Sequence, residues 1–69
     1  MVTLEARCRS GHYLAAVVPI SDSANRTGYH VLVFRHGTEV YEETEQNLEE
    51  AIQTAQAYLD WRTQQDLDS

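Results

Sequence analysis

Val2, Leu4, Ala6 and Cys8 alternate with Thr3, Glu5 and Arg7, the period-two pattern of a strand with one buried face. Ser10-Gly11 then offers a two-residue hairpin turn. A second strand is expected over 12–19, ending at Pro19, which has no N–H to donate to a ladder. With that turn Cys8 opposes Tyr13, Ala6 opposes Ala15 and Leu4 opposes Val17, so all these side chains share one face. A polar loop, SDSANRTG, leads from Ser21 to Gly28. The run from Tyr29 to Arg35, YHVLVFR, is rich in β-branched and aromatic residues and predicts a central strand over 29–35. His36-Gly37 makes the next turn, and a last strand is expected over 38–44. A two-residue turn pairs Val33 with Val40, Phe34 with Glu39 and Leu32 with Tyr41, whereas a bulged turn shifts this by one. Glu42, Glu43 and Glu45 make the end of that strand polar, which suits a sheet edge.

From residue 48 the period changes. Leu48, Ile52, Ala55 and Leu59 fall on one stripe at about 100° per residue, flanked by Ala51 and Tyr58 and extended by the stem of Arg62. Asn47 suits the N-cap, with Glu50 at the capping-box spacing. Glu49 and Glu50 place negative charge at the positive end of the helix dipole. A helix over 48–64 follows, with 66–69 as a frayed tail. The expected fold is a single α+β domain: an antiparallel four-stranded meander covered on one face by one C-terminal helix. Strand 29–35 is apolar on both sides, Val31 and Val33 on one and Leu32 and Phe34 on the other. One helix covers only one side, so Leu32, Phe34 and Tyr41 are the candidate self-association face of a homodimer or higher oligomer.

Composition narrows the functional classes. With 69 residues the chain buries a small core, and chains of this size gain from a partner. Cys8 is the sole cysteine, which excludes an internal disulfide or a zinc site built on several cysteines, and fits a reducing, cytoplasmic location. No apolar run reaches membrane-span length and no signal-peptide pattern stands at the N-terminus. The net charge of −6 is uneven: residues 1–38 carry four Arg against Glu5 and Asp22, while 39–69 carry Arg62 against nine acids. Such a chain does not suit direct nucleic-acid binding.

His12, His30 and His36 show no metal-ligand spacing, the serines no nucleophile elbow, and Gly11, Gly28 and Gly37 stand singly. Cys8 is expected to pack as a small apolar residue. The reading is therefore a non-enzymatic protein, with no catalytic residues, metal or cofactor. Trp61 lies roughly 130° off the helix stripe. It either wraps over Tyr58 to extend the core or stands out as an aromatic anchor. With Trp61, the candidate partner-binding residues are Tyr58, Glu42, Glu43, Glu45 and Glu49, facing a basic protein. Two further readings are a nucleic-acid-mimicking or anti-defence inhibitor and a homodimeric structural or regulatory subunit.

A strand ending in Val17-Val18, a polar loop, the strand Gly28-Tyr29-His30-Val31-Leu32-Val33-Phe34, a short third strand and then Asn47-Leu48-Glu49-Glu50-Ala51-Ile52 together resemble the HicB family of antitoxin domains over about residues 13–62. Arg35-His36-Gly37 stands where that family has a Pro-Asp-Leu-Pro-Gly-like turn, and the first strand is additional. The resemblance implies a β-β-β-α, partial RNase-H-like fold. It also implies a non-enzymatic acidic module that oligomerises and masks a small basic RNA-cleaving toxin.

Overall fold

A computed structural model describes residues 2–20 and 28–68. Four strands, β1 (Val2–Cys8), β2 (Gly11–Pro19), β3 (Tyr29–Arg35) and β4 (Thr38–Glu45), form one antiparallel sheet in chain order, followed by the helix α1 (Leu48–Asp68). The helix touches all four strands and covers one face of the sheet. The α+β meander expected from the sequence is the observed fold. Most of the polar loop expected over 21–28 lies outside the described residues.

The first hairpin turns at Arg9-Ser10 rather than Ser10-Gly11, so Ala6 pairs with Tyr13, Leu4 with Ala15, Val2 with Val17 and Cys8 with Gly11. Arg9 and Ser10 keep negative φ, and Gly11 takes up the mismatch at φ 147°, a conformation open to glycine and rarely to other residues. A Cβ at Gly11 would also stand 2.5 Å from His36 Nε2. The second tight turn is placed as expected. His36 and Gly37 have φ of 52° and 83°, the pair of positive values that defines a type I′ turn. Histidine is strained there. We expect His36→Asn to raise stability by up to about 1 kcal/mol and Gly37→Ala to lower it by about 1–2 kcal/mol, read from urea midpoints.

That turn sets Phe34 opposite Glu39, but a bulge follows between Val33 and Phe34. Beyond it Val33 pairs with Tyr41 and Leu32 with Glu42, correcting the expected Val33–Val40 and Leu32–Tyr41 pairs. Val40 is left without an opposite residue and is exposed. Because side chains alternate, one extra residue turns the rest of β4 over. Tyr41 therefore lies on the helix side with Val33, not on the open face with Leu32 and Phe34.

The core beneath α1 consists of Tyr13, Ala15, Val17, Val31, Val33, Ala51, Ala55 and Leu59, with Val2, Leu4, Ala6, Cys8, Tyr29, Tyr41, Ile52 and Tyr58 packed round it. The stripe that meets the sheet is Ala51, Ala55 and Leu59, so the helix is rolled by a fraction of a turn from the expected centre. Leu48 is exposed instead. Two alanines at the contact let the helix backbone come close to the β-branched floor of Val31 and Val33. The cap forms as expected, the Glu50 N–H donating to Asn47 Oδ1 at 2.8 Å.

The helix does not fray at 66 but continues to Asp68. Asp66 holds this last turn to the first hairpin, accepting from the Ser10 N–H at 3.1 Å and the Ser10 hydroxyl at 3.0 Å.

Candidate interaction surface

Two polar or aromatic constellations arise from this packing. The first lies where the end of α1 meets the β1–β2 turn. Arg62 donates to the Tyr13 hydroxyl from Nη2 at 2.8 Å and from Nε at 3.2 Å. The Ser10 hydroxyl gives its proton to Asp66, which leaves its oxygen to accept from the Tyr13 hydroxyl at 3.4 Å. The wiring thus runs Arg62 to Tyr13 to Ser10 to Asp66, a chain in which each hydrogen bond polarises the next. Arg35 donates to the Ser10 carbonyl, and its guanidinium and that of Arg62 stand 6.0 and 5.4 Å from the Tyr13 ring centre.

Burial pushes the Tyr13 phenol up, but Ser10, which can turn its hydroxyl proton to a phenolate, the Arg62 hydrogen bonds and the charges of Arg62 and Arg35 outweigh it and lower the pKa. The Ser10 N–H first, with other hydrogen bonds and Arg62, holds the Asp66 carboxyl below its ordinary value, against a desolvation effect. Cys8 packs against the core as expected and also bonds outward. Thr63 donates its hydroxyl proton to the Leu59 carbonyl at 2.9 Å, and its Oγ1 stands 3.5 Å from the Cys8 thiol. Among the described residues no buried side-chain nitrogen or oxygen lacks a partner. A network that ties Arg62 and Asp66 of the helix to Tyr13 and Ser10 of the hairpin, and whose tyrosine is 1% exposed, is a lock between helix and hairpin. The sequence reading missed it, since Ser10, Tyr13, Arg62 and Asp66 are brought together only by helix docking.

The second constellation lies on the helix side of β4. The bulge delivers Tyr41 to the flank of α1, where its ring stacks on Tyr58 with centres 4.5 Å apart and planes at 26°. Tyr58 in turn meets Trp61 at 5.8 Å and 52°. Trp61 keeps 50% of its surface exposed, so it leans on Tyr58 while presenting the rest of its indole to solvent. The Arg62 guanidinium stands 5.4 Å from the Trp61 ring centre. The Tyr41 hydroxyl donates to Glu43 at 3.5 Å. Desolvation first, then the charges of Glu43 and Glu45 and the Glu43 hydrogen bond, raise the Tyr41 pKa.

Of the residues singled out in sequence, Trp61, Tyr58, Glu43 and Glu45 therefore border this surface, with Tyr41 joining them. Glu49 is exposed in the first turn of the helix beyond it. Glu42 parts from the group, since opposite Leu32 it lies on the other face of the sheet. Leu32 and Phe34 occupy that other face as expected.

A depression of about 330 Å³ opens at the start of the helix, lined by Pro19, Ile20, Gly28, Tyr29, Gln46, Asn47 and Leu48. Among the described residues no carboxylate, histidine or cysteine lines it. Among the described residues no group of three His, Cys, Asp or Glu side chains is placed to hold a metal ion. Nor, among the described residues, is any helix long and apolar enough to cross a membrane. No protein-family description, curated protein or solved structure matches this chain.

Proposed function

We propose that this chain is a non-enzymatic interaction module, antitoxin-like or regulatory, that binds a basic protein through the β4–α1 edge. The observation that carries the reading is the ladder Tyr41–Tyr58–Trp61, anchored in the core at one end and half-exposed at the other, beside Glu43 and Glu45. Between Arg35 and Arg62 the sequence has seven acids and no Lys or Arg. An exposed indole held in place by stacking contributes binding area with little loss of side-chain freedom. It also attracts Lys or Arg over its face, as Arg62 already does within the chain. The carboxylates steer a basic partner and set the salt dependence of association.

The test begins with affinity capture from the native host and identification of a bound basic protein, followed by titration of that protein. We expect Trp61→Ala to weaken binding by at least about tenfold with an unchanged circular dichroism spectrum. Neutralising Glu43 and Glu45 to Gln should weaken it further at low salt and less at high salt. Affinity indifferent to salt, or a Trp61→Ala chain that has lost its fold, defeats the proposal. If DNA or RNA competes with the chain for its partner, the acidic edge is acting as a nucleic-acid mimic.

A further inference from the structure

The sheet face away from the helix carries Leu14, Ala16 and Val18 from β2 and Leu32 and Phe34 from β3, and none of the five belongs to the core under α1. Leu14 pairs with Phe34 and Ala16 with Leu32 in successive rungs of this face, so they form a continuous apolar strip two strands wide. Carboxylates stand on both sides of it. In one rung Leu14 and Phe34 lie between Glu5 on β1 and Glu39 on β4. In the next, Ala16 and Leu32 lie between Thr3 and Glu42. The strip ends in polar rungs, with Arg7 and His12 at one end and His30 and Thr44 beside Val18 at the other. Glu5, Glu39 and Glu42 are exposed, whereas Leu14, Val18, Leu32 and Phe34 are half-buried.

We propose that this strip seats an amphipathic helix of a partner protein, laid along the strands with its apolar stripe inward and Lys or Arg on both of its flanks. Charge selects this occupant over a second copy of the chain. A two-fold axis along the strands would set Glu5 level with the other copy's Glu39, and one across the strands would stack the two Glu39–Glu42 rims on each other. Like charges meet in both arrangements, which opposes self-association on this face. A helix basic on one flank only would answer half of the pattern, because the carboxylates lie on β1 as well as on β4.

The dimensions agree. Strands about 4.8 Å apart put the backbones at Glu5 and Glu39 roughly 14 Å from each other across the strip, and a helix with its side chains is about 10–12 Å across. The helix fills the space between the rims, and long basic side chains on its flanks end at the carboxylates. Along the strand, Leu14 to Val18 spans roughly 13 Å at about 3.3 Å per residue. A helix covers about 10.5 Å from i to i+7, so anchors at i, i+3, i+4 and i+7 occupy the strip. A contact of this kind is smaller than the standard interface of about 800 Å² per partner and belongs to the weak, exchangeable class. The strip is on the other side of the sheet from the Trp61 edge, so the two proposals stand or fall independently.

The probe is a fluorescein-labelled, alanine-based helical peptide of about 16 residues, with leucine at i, i+3, i+4 and i+7 and lysine on both flanks, titrated with the full chain. Anisotropy should report a dissociation constant on the order of 10–100 µM at about 50 mM salt, weakening several-fold at about 300 mM. Leu32→Thr and Phe34→Thr place a polar but β-branched residue in the strand, and each should weaken binding at least about tenfold. Glu5→Gln and Glu39→Gln should each weaken it more than Glu49→Gln, an equal loss of charge elsewhere on the surface. Trp61→Ala should bind within about twofold of the wild type. Absence of binding at about 1 mM chain overturns the proposal. So does equal binding of a peptide of the same composition with its leucines scattered, or equal weakening by all three glutamines. Binding that survives both threonine substitutions in chains with an unchanged circular dichroism spectrum, or that Trp61→Ala abolishes, rejects it as well. A dimer in sedimentation equilibrium that Phe34→Thr dissociates would give the face to a second copy instead.

Discussion

Tyr13→Ala should cost about 3–5 kcal/mol from the emptied ring site alone, and more because Arg62 and Ser10 lose the hydroxyl between them. Tyr13 is the largest fully buried side chain and sits on β2, one of the two central strands. Its ring belongs to the core cluster, and its hydroxyl is the middle link of the chain from Arg62 to Asp66. Total stability for a domain of this size is on the order of 3–10 kcal/mol. The substitution should therefore leave a chain largely unfolded at room temperature, measured as loss of the urea transition and of near-ultraviolet dichroism. Tyr13→Phe keeps the ring and removes the link, and should cost only about 1–3 kcal/mol. The gap between the two variants separates packing from the polar lock. A Tyr13→Ala chain within about 1 kcal/mol of the wild type would mean that the end of the helix is not held where the geometry puts it.

The two hairpins show which parts of a sheet can be read from a sequence. In the first, the turn lies one position earlier than the glycine suggests, and each pairing moves by two residues. A shift of two leaves every side chain on its original face. The grouping of Leu4, Ala6, Cys8, Tyr13, Ala15 and Val17 on the helix side therefore survives an incorrect register. In the second, the turn is right and the faces still go wrong, since the bulge at Val33/Phe34 is a shift of one. Local pattern gives little notice of it. Val40 is more apolar than its final exposure warrants, and its burial opposite Val33 is the natural expectation. What outweighs it is tertiary: turning β4 over exchanges Val40 for Tyr41 on the helix side, where Tyr41 stacks on Tyr58.

The same holds for the candidate surface. Trp61 is legible because it breaks the helical period, and its half-exposed position follows from that break. Glu42 and Glu43 are neighbours in sequence, yet they part to opposite faces because strand neighbours always do. The extension of α1 past Gln64 was not legible at all, because it depends on Ser10, more than fifty residues earlier in the chain.

The helix stripe provides the other large effect. Leu48, Ile52 and Leu59 are its three aliphatic residues on the expected apolar side, and by periodicity alone they deserve equal weight. Their surroundings are not equal. Leu59 is 2% exposed within the core cluster, Ile52 lies at its margin, and Leu48 is 40% exposed at the first helical position. Leu59→Ala removes buried methyl groups at a site flanked by fixed strands and the Tyr13–Arg62 lock, which limits collapse round the cavity. We expect a loss of about 2–5 kcal/mol. Leu48→Ala exchanges one exposed helix former for a better one and should change stability by no more than about 1 kcal/mol. The pair distinguishes two ways of rolling the same helix onto the same sheet. With Ala51, Ala55 and Leu59 facing inward, the close approach of two alanines sets the layer spacing, and the roll brings Tyr58 and Trp61 round towards Tyr41 on β4. With Leu48, Ile52 and Leu59 inward, the contact would be bulkier, and Leu48→Ala would cost as much as Leu59→Ala. Equal losses in a urea titration would thus reject the observed roll and, with it, the stacking that ties Tyr58 and Trp61 to Tyr41.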